Sequence, residues 1–403
     1  MLKLGSLGLS FAYNMLTNYA NDKEDDSNDS LVTNYNRLRL LRTTFEQHGG
    51  IFSKLSQILS YEDTHSSIFS NCTPYSSKET QIYLEEYINS SELSYNVDNN
   101  IYKSGSIGQV HIGYFNKNKR KIAIKIQYSG LYEKTEDDIK ALNLLSKFLY
   151  SFTDVTDAIK DIKKKIYEEF DFINEANNQE YLYKLWKDTN VYIPKVYKSL
   201  STKKVLVTDF VEGVDLSQFI ENSTRQERDK ISNDLVYFMF NNIYNNNVFY
   251  SDCHYGNIII QKTTDKQNKL SIIDFGCIHM IDKDMVDSLK KLHIHLKNED
   301  KESVINTLKN LNILNDDVSK ESIDYAYDYF RIQYRPFIVE EEFEFTDEWF
   351  KECDKKDTKL LSEWKLPRNM VYFNKIPSGF YKLLCALNAK GKFYTVLNDI
   401  FDI

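Results

Sequence analysis

The chain has 403 residues, 42% hydrophobic and 27% charged, enough for two or three packed units with real cores and an ordinary globular surface. A net charge of −8 excludes a nucleic-acid protein that relies on a broad basic surface. Five cysteines (Cys72, Cys253, Cys277, Cys353 and Cys385) form no C-x-x-C pair and read as reduced thiols, neither a disulfide frame nor a zinc site. The histidines offer no metal spacing, since His293 and His295 are two apart on an expected helix and diverge.

In chain order, residues 2–20 are mildly apolar but broken by Ser, Asn and Thr. They read as a core helix or an arm, with a peripheral membrane contact left open. They fit neither a presequence nor a secretory signal, and no apolar run reaches the length of a spanning helix. The acidic segment 21–30 reads as a linker. A helical region follows over 34–61, its second half carrying the stripe Ile51, Leu55, Ile58 and Leu59 after a break at Gly49-Gly50. The polar segment 89–100 reads as a second boundary. Beyond it the period changes to two, with strands over 106–115 and 121–128 joined by an Asn/Lys turn into a hairpin. Residues 131–187 read as helical, 204–210 as a strand and 224–246 as a long helix. Short apolar strands over 257–261 and 270–274 flank a polar loop, and everything after about residue 278 reads as helix. The order implies an α+β chain of bilobal plan.

Four motifs lie in register on this plan. "YKSGSIGQV" contains Gly105, Gly108 and Val110, the back half of the G-x-G-x-x-G-x-V loop that covers phosphates in kinases, with Lys103 in place of the first glycine. Lys125 stands on the alternating strand "IAIKIQ", where it can neutralise α/β-phosphates. "SDCHYGN" sets Asp252 and Asn257 five apart before an apolar strand: a carboxylate for the attacking oxygen and a carbonyl ligand for Mg²⁺. "IIDFG" puts Asp274 at a strand end beside a glycine turn. Alone, each is an ordinary lysine, polar turn or three-letter match. Together, in this order and these strand contexts, they specify a protein-kinase-like nucleotide site. Glu175, in "EFDFINEAN", is the first good candidate to pair with Lys125, fifty residues on, so the helical stretch between them reads as an insertion.

With these residues in place, the chain resembles the UbiB family of atypical kinases, the aarF-domain proteins tied to coenzyme Q synthesis. "SIGQVH" and "KIQYSG" are near-verbatim family strings, "SDCHYGN" is similar to the family's D-P-H-P-G-N, and "DFG" completes the set. The likeness covers about 34–280 closely and the rest loosely. It implies a kinase-like fold in which Lys125 pairs with Glu175 and Gly105, Ser106, Gly108 and Val110 cover the phosphates. Asp209 and Val211 would lie in the adenine hinge, Asp252 would be the catalytic aspartate, and Asn257 and Asp274 would hold Mg²⁺. The family's K-x-G-Q helix, which closes the peptide cleft, is represented by Lys54 to Gln57, with Lys54 approaching Glu169 or Asp171. Three departures from the pattern stand out: Ser56 replaces the motif glycine, Cys253 and Tyr255 replace prolines, and Gly105 replaces an alanine.

The resemblance therefore implies an ATP- and Mg²⁺-using atypical kinase or ATPase acting on or near lipid-like or small-molecule substrates. The alternatives are a Ser/Thr protein kinase or an ATP-binding pseudokinase scaffold. Expected partners are ATP, an unidentified phosphoacceptor and a lipid or membrane surface, with no nucleic acid. The expected location is cytoplasmic or peripheral to a membrane. The expected parts are an arm and linker (1–33), a helical extension (34–100), a strand-rich lobe with a helical insertion (101–213) and a helical lobe (214–403).

Overall fold

The computed structural model describes residues 95–104, 107–128, 170–262, 267–355, 358–361, 363–364 and 376–401, with residues 78, 130, 132–133, 136, 140 and 167–168 besides. The expected helices of 34–61, with Lys54 and Gln57, and also Gly105, Ser106 and Glu169, lie outside the described residues. Two compact units emerge. One takes the chain up to Ala176 together with Val196–Phe210, and the other takes Asn177–Lys195 together with Val211–Ile403. Residues 177–195 thus leave the expected 101–213 lobe.

In the first unit, β1 (Tyr95–Ser104), β2 (Gly108–Phe115), β3 (Lys121–Gln127) and β5 (Val205–Asp209) form one antiparallel sheet in that order. The period-two pattern of β3 explains its two faces. Ile122, Ile124 and Ile126 are buried with Val205 and Val207 on one side, each burial stabilising by about 1.5–3 kcal/mol, while Ala123 and Lys125 face the other. The β2–β3 turn closes through Lys119, whose φ of 54° is left-handed, and through Asn118 Oδ1 accepting from the Arg120 N–H. Gly108 has a steric reason to be glycine. A Cβ there would stand 2.2 Å from the Ile126 carbonyl oxygen of the neighbouring strand.

β1 begins at Tyr95, inside the polar stretch read as a boundary. Its Asn and Asp residues disfavour a strand, but pairing with β2 overrides propensity, at the cost of register shifts between Val97 and Ile101 and between Ile101 and Lys103. The signature side chains of "GQVH" hold this irregular edge. The Asp98 carbonyl only accepts, so His111 Nδ1–H donates to it at 3.1 Å, and His111 Nε2 then accepts from Gln109 Nε2 at 2.9 Å. Gln127 similarly donates to the carbonyls of Phe170 (2.6 Å) and Lys203 (3.0 Å).

Helix α1 (Phe172–Trp186) starts in the first unit and ends in the second. Its first turn packs Phe172 and Ala176 on Val196 and Leu206. In the second unit, β4 (Val191–Tyr192), β6 (Val214–Asp215), β8 (Ile258–Lys262) and β9 (Asn268–Ile272) form a sheet of order β4-β9-β8-β6. After α2 (Leu216–Asn222), the long α3 (Arg225–Tyr244) opens on a capping box between Thr224 and Glu227. It buries Leu235, Phe238, Met239, Phe240 and Ile243 in the main core. Trp186 Nε1–H donates to Asn242 Oδ1 at 2.9 Å, satisfying a polar atom inside that core.

Beyond lie α4 (Lys283–Lys297), α5 (Lys301–Asn310), α6 (Lys320–Ile338), α7 (Asp347–Cys353), α8 (Thr358–Leu361), α9 (Lys382–Ala386) and α10 (Phe393–Phe401). The expectation of helix throughout this region needs correction. β10 (Ile278–Met280) pairs with β7 (Val248–Tyr250), and β11 (Phe343–Glu344) pairs with β12 (Lys390–Gly391). Pairs of two or three residues are too short to carry a period. The expected 270–274 strand is also displaced: β9 runs from Asn268 to Ile272 because Lys269 and Asn268 pair with Gln261 and Lys262, and Asp274 lies two residues beyond its end.

Candidate active site

In the first unit, cross-strand register sets Val110 opposite Lys125, Lys125 opposite Leu206 and Ala123 opposite Thr208, so these side chains share one face. Ala123, Leu206 and Thr208 were not read from the sequence. The signal for Ala123 was available, since it stands two residues before Lys125 on an alternating strand. Lys125 Nζ donates to both oxygens of Glu175, at 2.9 and 3.0 Å, and lies 5.1 Å from the centre of the Phe172 ring. Glu175 is 4% exposed, so its charge depends on the lysine for compensation. The pair spans fifty residues of chain, and the fold closes that gap.

Two other expected residues show structural duties. Asp171 Oδ1 accepts from the Ile173 N–H and caps α1. Asp209 turns its carboxylate to the face opposite Lys125, where Arg120 Nη2 (2.5 Å) and the Tyr197 hydroxyl (2.6 Å) donate to it. Only its backbone is on hand for a ligand role. Val211, the first residue of the second unit on this side, is buried. Gly213 admits no side chain, since a Cβ would meet the Ile260 carbonyl oxygen at 2.5 Å.

In the second unit, the β8–β9 register pairs Ile258 with Ile272, and the Ile273 N–H donates to the Asn257 carbonyl at 3.1 Å. Asn257 therefore precedes β8, and Asp274 follows β9, at the same end of the hairpin. Asn257 Nδ2 donates to the Asp252 carbonyl (3.0 Å) and to Asp252 Oδ2 (2.9 Å), which turns Asn257 Oδ1 away from Asp252. His254 Nδ1 accepts from the Gly256 N–H at 3.0 Å, and its Nε2 lies 3.4 Å from Asp252 Oδ2. Asp274 Oδ1 accepts from the Gly276 N–H at 3.0 Å. Phe275 is fully buried, with Asn178 Nδ2–H donating to its carbonyl at 3.1 Å.

Electrostatics mark the same place. Burial above all, then the carboxylates of Asp252 and Asp274, push the Tyr250 phenol well above its ordinary value. Burial, and then Asp252, likewise push the Cys253 thiol far up, so it stays protonated and unreactive. The donor set suits Mg²⁺: one carboxylate and one amide oxygen, with further ligands left to phosphate and water. Among the described residues no three His, Cys, Asp or Glu side chains gather to hold a metal by themselves.

A strand lysine bound by a helix glutamate, and an Asp/Asn loop followed by a hairpin and D-F-G, define a protein-kinase-like chain. It belongs to the ABC1 atypical kinase-like family, whose domain matches residues 67–308. Among its relatives, the probable protein kinase UbiB of Pseudomonas fluorescens (strain SBW25) is 25% identical over 270 residues, covering 62% of this chain and 50% of that protein. The probable serine/threonine-protein kinase abkB of Dictyostelium discoideum is 28% identical over 264 residues, 59% of this chain and 39% of its own. An uncharacterized protein of the hydrogenase 1 5' region in Clostridium pasteurianum is 28% identical over 315 residues, 72% of this chain and 57% of its own. The chain thus spans about half the length of the curated relatives it matches. A structure of Rv3197 with erythromycin from Mycobacterium tuberculosis shares the fold, with a TM-score of 0.69 at 21% identity, covering 92% of this chain and 96% of that one. Among the described residues no helix is long and apolar enough to cross a membrane.

Proposed function

We propose that the chain is a Mg²⁺-dependent, ATP-binding atypical kinase or ATPase of UbiB type, acting on or near lipid-like or small-molecule substrates. The carrying observation is the Lys125–Glu175 pair, closed at 2.9 Å across fifty residues of chain, accompanied by the preserved Asp252, Asn257 and Asp274. Glu175 holds the Lys125 ammonium in one orientation, ready for α/β-phosphate oxygens. Asn257 Oδ1 and the Asp274 carboxylate would hold Mg²⁺, which neutralises phosphate charge when bound. Asp252, oriented by Asn257, accepts the proton of the attacking hydroxyl or water. The lipid-like substrate class comes from the family resemblance.

The test is phosphate release from Mg²⁺-ATP with and without liposomes and quinone-precursor phenols, comparing wild type with Asp274→Asn. Turnover in wild type, stimulated by either addition and absent in the variant, is expected. Equal rates in both proteins would contradict the proposal. Phosphorylation of a generic Ser/Thr peptide, lost in Asp252→Asn, would favour the protein-kinase alternative.

A further inference from the structure

The segment after Asp274 is stitched to the strand before Asp252. β10 pairs with β7, Ile278 opposite Tyr250 and His279 opposite Phe249, and the Ser251 and Ile281 N–H groups donate to the carbonyls of Cys277 (3.1 Å) and Asn247 (2.8 Å). Side-chain contacts add to this ladder. Ser251, only 6% exposed, places its Oγ 3.3 Å from the Cys277 carbonyl oxygen and 3.0 Å from His279 Nε2.

A hydroxyl carries a single hydrogen, and a carbonyl oxygen can only accept. Both contacts are made at once in one arrangement: Ser251 Oγ–H donates to Cys277, and His279 Nε2–H donates to Ser251 Oγ. The His279 ring is stacked on Phe249, with centres 6.5 Å apart and planes 28° apart, which holds the imidazole plane for that donation. Ser251 adjoins Asp252, and Cys277 and His279 follow Asp274 within two turns of chain.

We infer that Ser251 and His279 form a clamp that keeps the Asp252 loop and the Asp274 segment in register. They are positioning residues for the phosphoryl-transfer groups, and they hold the post-Asp274 segment without any covalent modification. The inference rests on the proposed reading of Asp252 and Asp274, but its structural half can be measured without nucleotide.

The experiment compares Ser251→Ala, His279→Phe, the double variant and His279→Gln. Two readouts are taken: hydrogen exchange of the 275–281 amides in the ligand-free protein, and kcat and KM for ATP. His279→Phe keeps a ring against Phe249 and removes the donor, so it serves if Ser251→Ala folds poorly. Each single variant should speed exchange about fivefold, the worth of one net hydrogen bond. It should lower kcat by at least as much while KM changes less than twofold. The double variant should be no worse than the poorer single, because Ser251→Ala already removes the contact that His279→Phe breaks, and His279→Gln, which retains an N–H donor, should recover most of both. Unchanged exchange in both singles, additive losses in the double, or an effect on KM alone would overturn the clamp. Exchange that responds as expected in a protein with no turnover would uphold the clamp's structural half and sink the functional reading instead.

Discussion

Lys125 and Asp209 of the first unit and Asp252 and Asp274 of the second are secured in different ways. In the first, side chain holds side chain across long stretches of sequence: Lys125 against Glu175, and Asp209 against Arg120 and Tyr197. In the second, carboxylates are held within a turn, Asp274 by the Gly276 N–H and Asp252 by the Asn257 amide. A long-range pair is part of the fold's own stability, because separating it strands a buried charge. A turn-held carboxylate contributes little to folding and can be committed to a ligand.

That difference can be broken by substitution. Asp274→Asn should reduce turnover about 10²- to 10³-fold yet leave the melting temperature of the ligand-free protein within a degree or two, since an Asn oxygen still accepts from Gly276; enzyme assay and calorimetry check the two halves. Lys125→Ala should abolish activity and also destabilise the ligand-free protein. It removes the ammonium that donates to both oxygens of the buried Glu175 carboxylate, at about 3 kcal/mol of stability by denaturant unfolding, and adding Glu175→Gln should recover much of that loss.

The buried histidines sharpen the point. His111 is satisfied at both ring nitrogens, whereas His293, also fully buried, has no hydrogen-bond partner at either among the described residues. Burial, and then the charge of Lys297, lower its pKa from 6.5 to about 4. The unfolded chain therefore binds the extra proton between about pH 4 and 6.5, and stability rises with pH across that window. The contribution is complete above 6.5 and is lost as pH falls towards about 4, on the order of 3 kcal/mol in all. His293→Phe should flatten that part of the stability–pH curve, and an unchanged slope would refute the assignment. The smallest effect is expected from Tyr197→Phe, which removes the Tyr197 hydroxyl donor to Asp209 and should lower stability by about 1 kcal/mol.

Legibility in the sequence follows the same division. Asp252, Asn257 and Asp274 sit in short motifs because their geometry is made locally, and the β8–β9 hairpin was visible as two apolar runs around a polar loop. The β2–β3 hairpin was visible through its period of two. Glu175 was read as the first good candidate after Lys125, though no spacing rule fixes how far a helix glutamate lies from a strand lysine, here fifty residues. β1 was hidden because its Asn-rich sequence argues against a strand and only pairing with β2 makes it one. Strands of two or three residues such as β11 and β12 carry no periodic signal at all. The Ser251–His279 contact was likewise invisible, since it depends on the β7–β10 register.

The central claim is most directly tested by the thermal stability of the wild-type chain with ATP, with and without Mg²⁺, alongside Asp274→Asn. At about 100 times its Kd, the nucleotide should stabilise wild type by about 2.7 kcal/mol, only with Mg²⁺ present, and should leave the variant nearly unmoved. A shift that is the same without Mg²⁺, or the same in Asp274→Asn, would contradict the account.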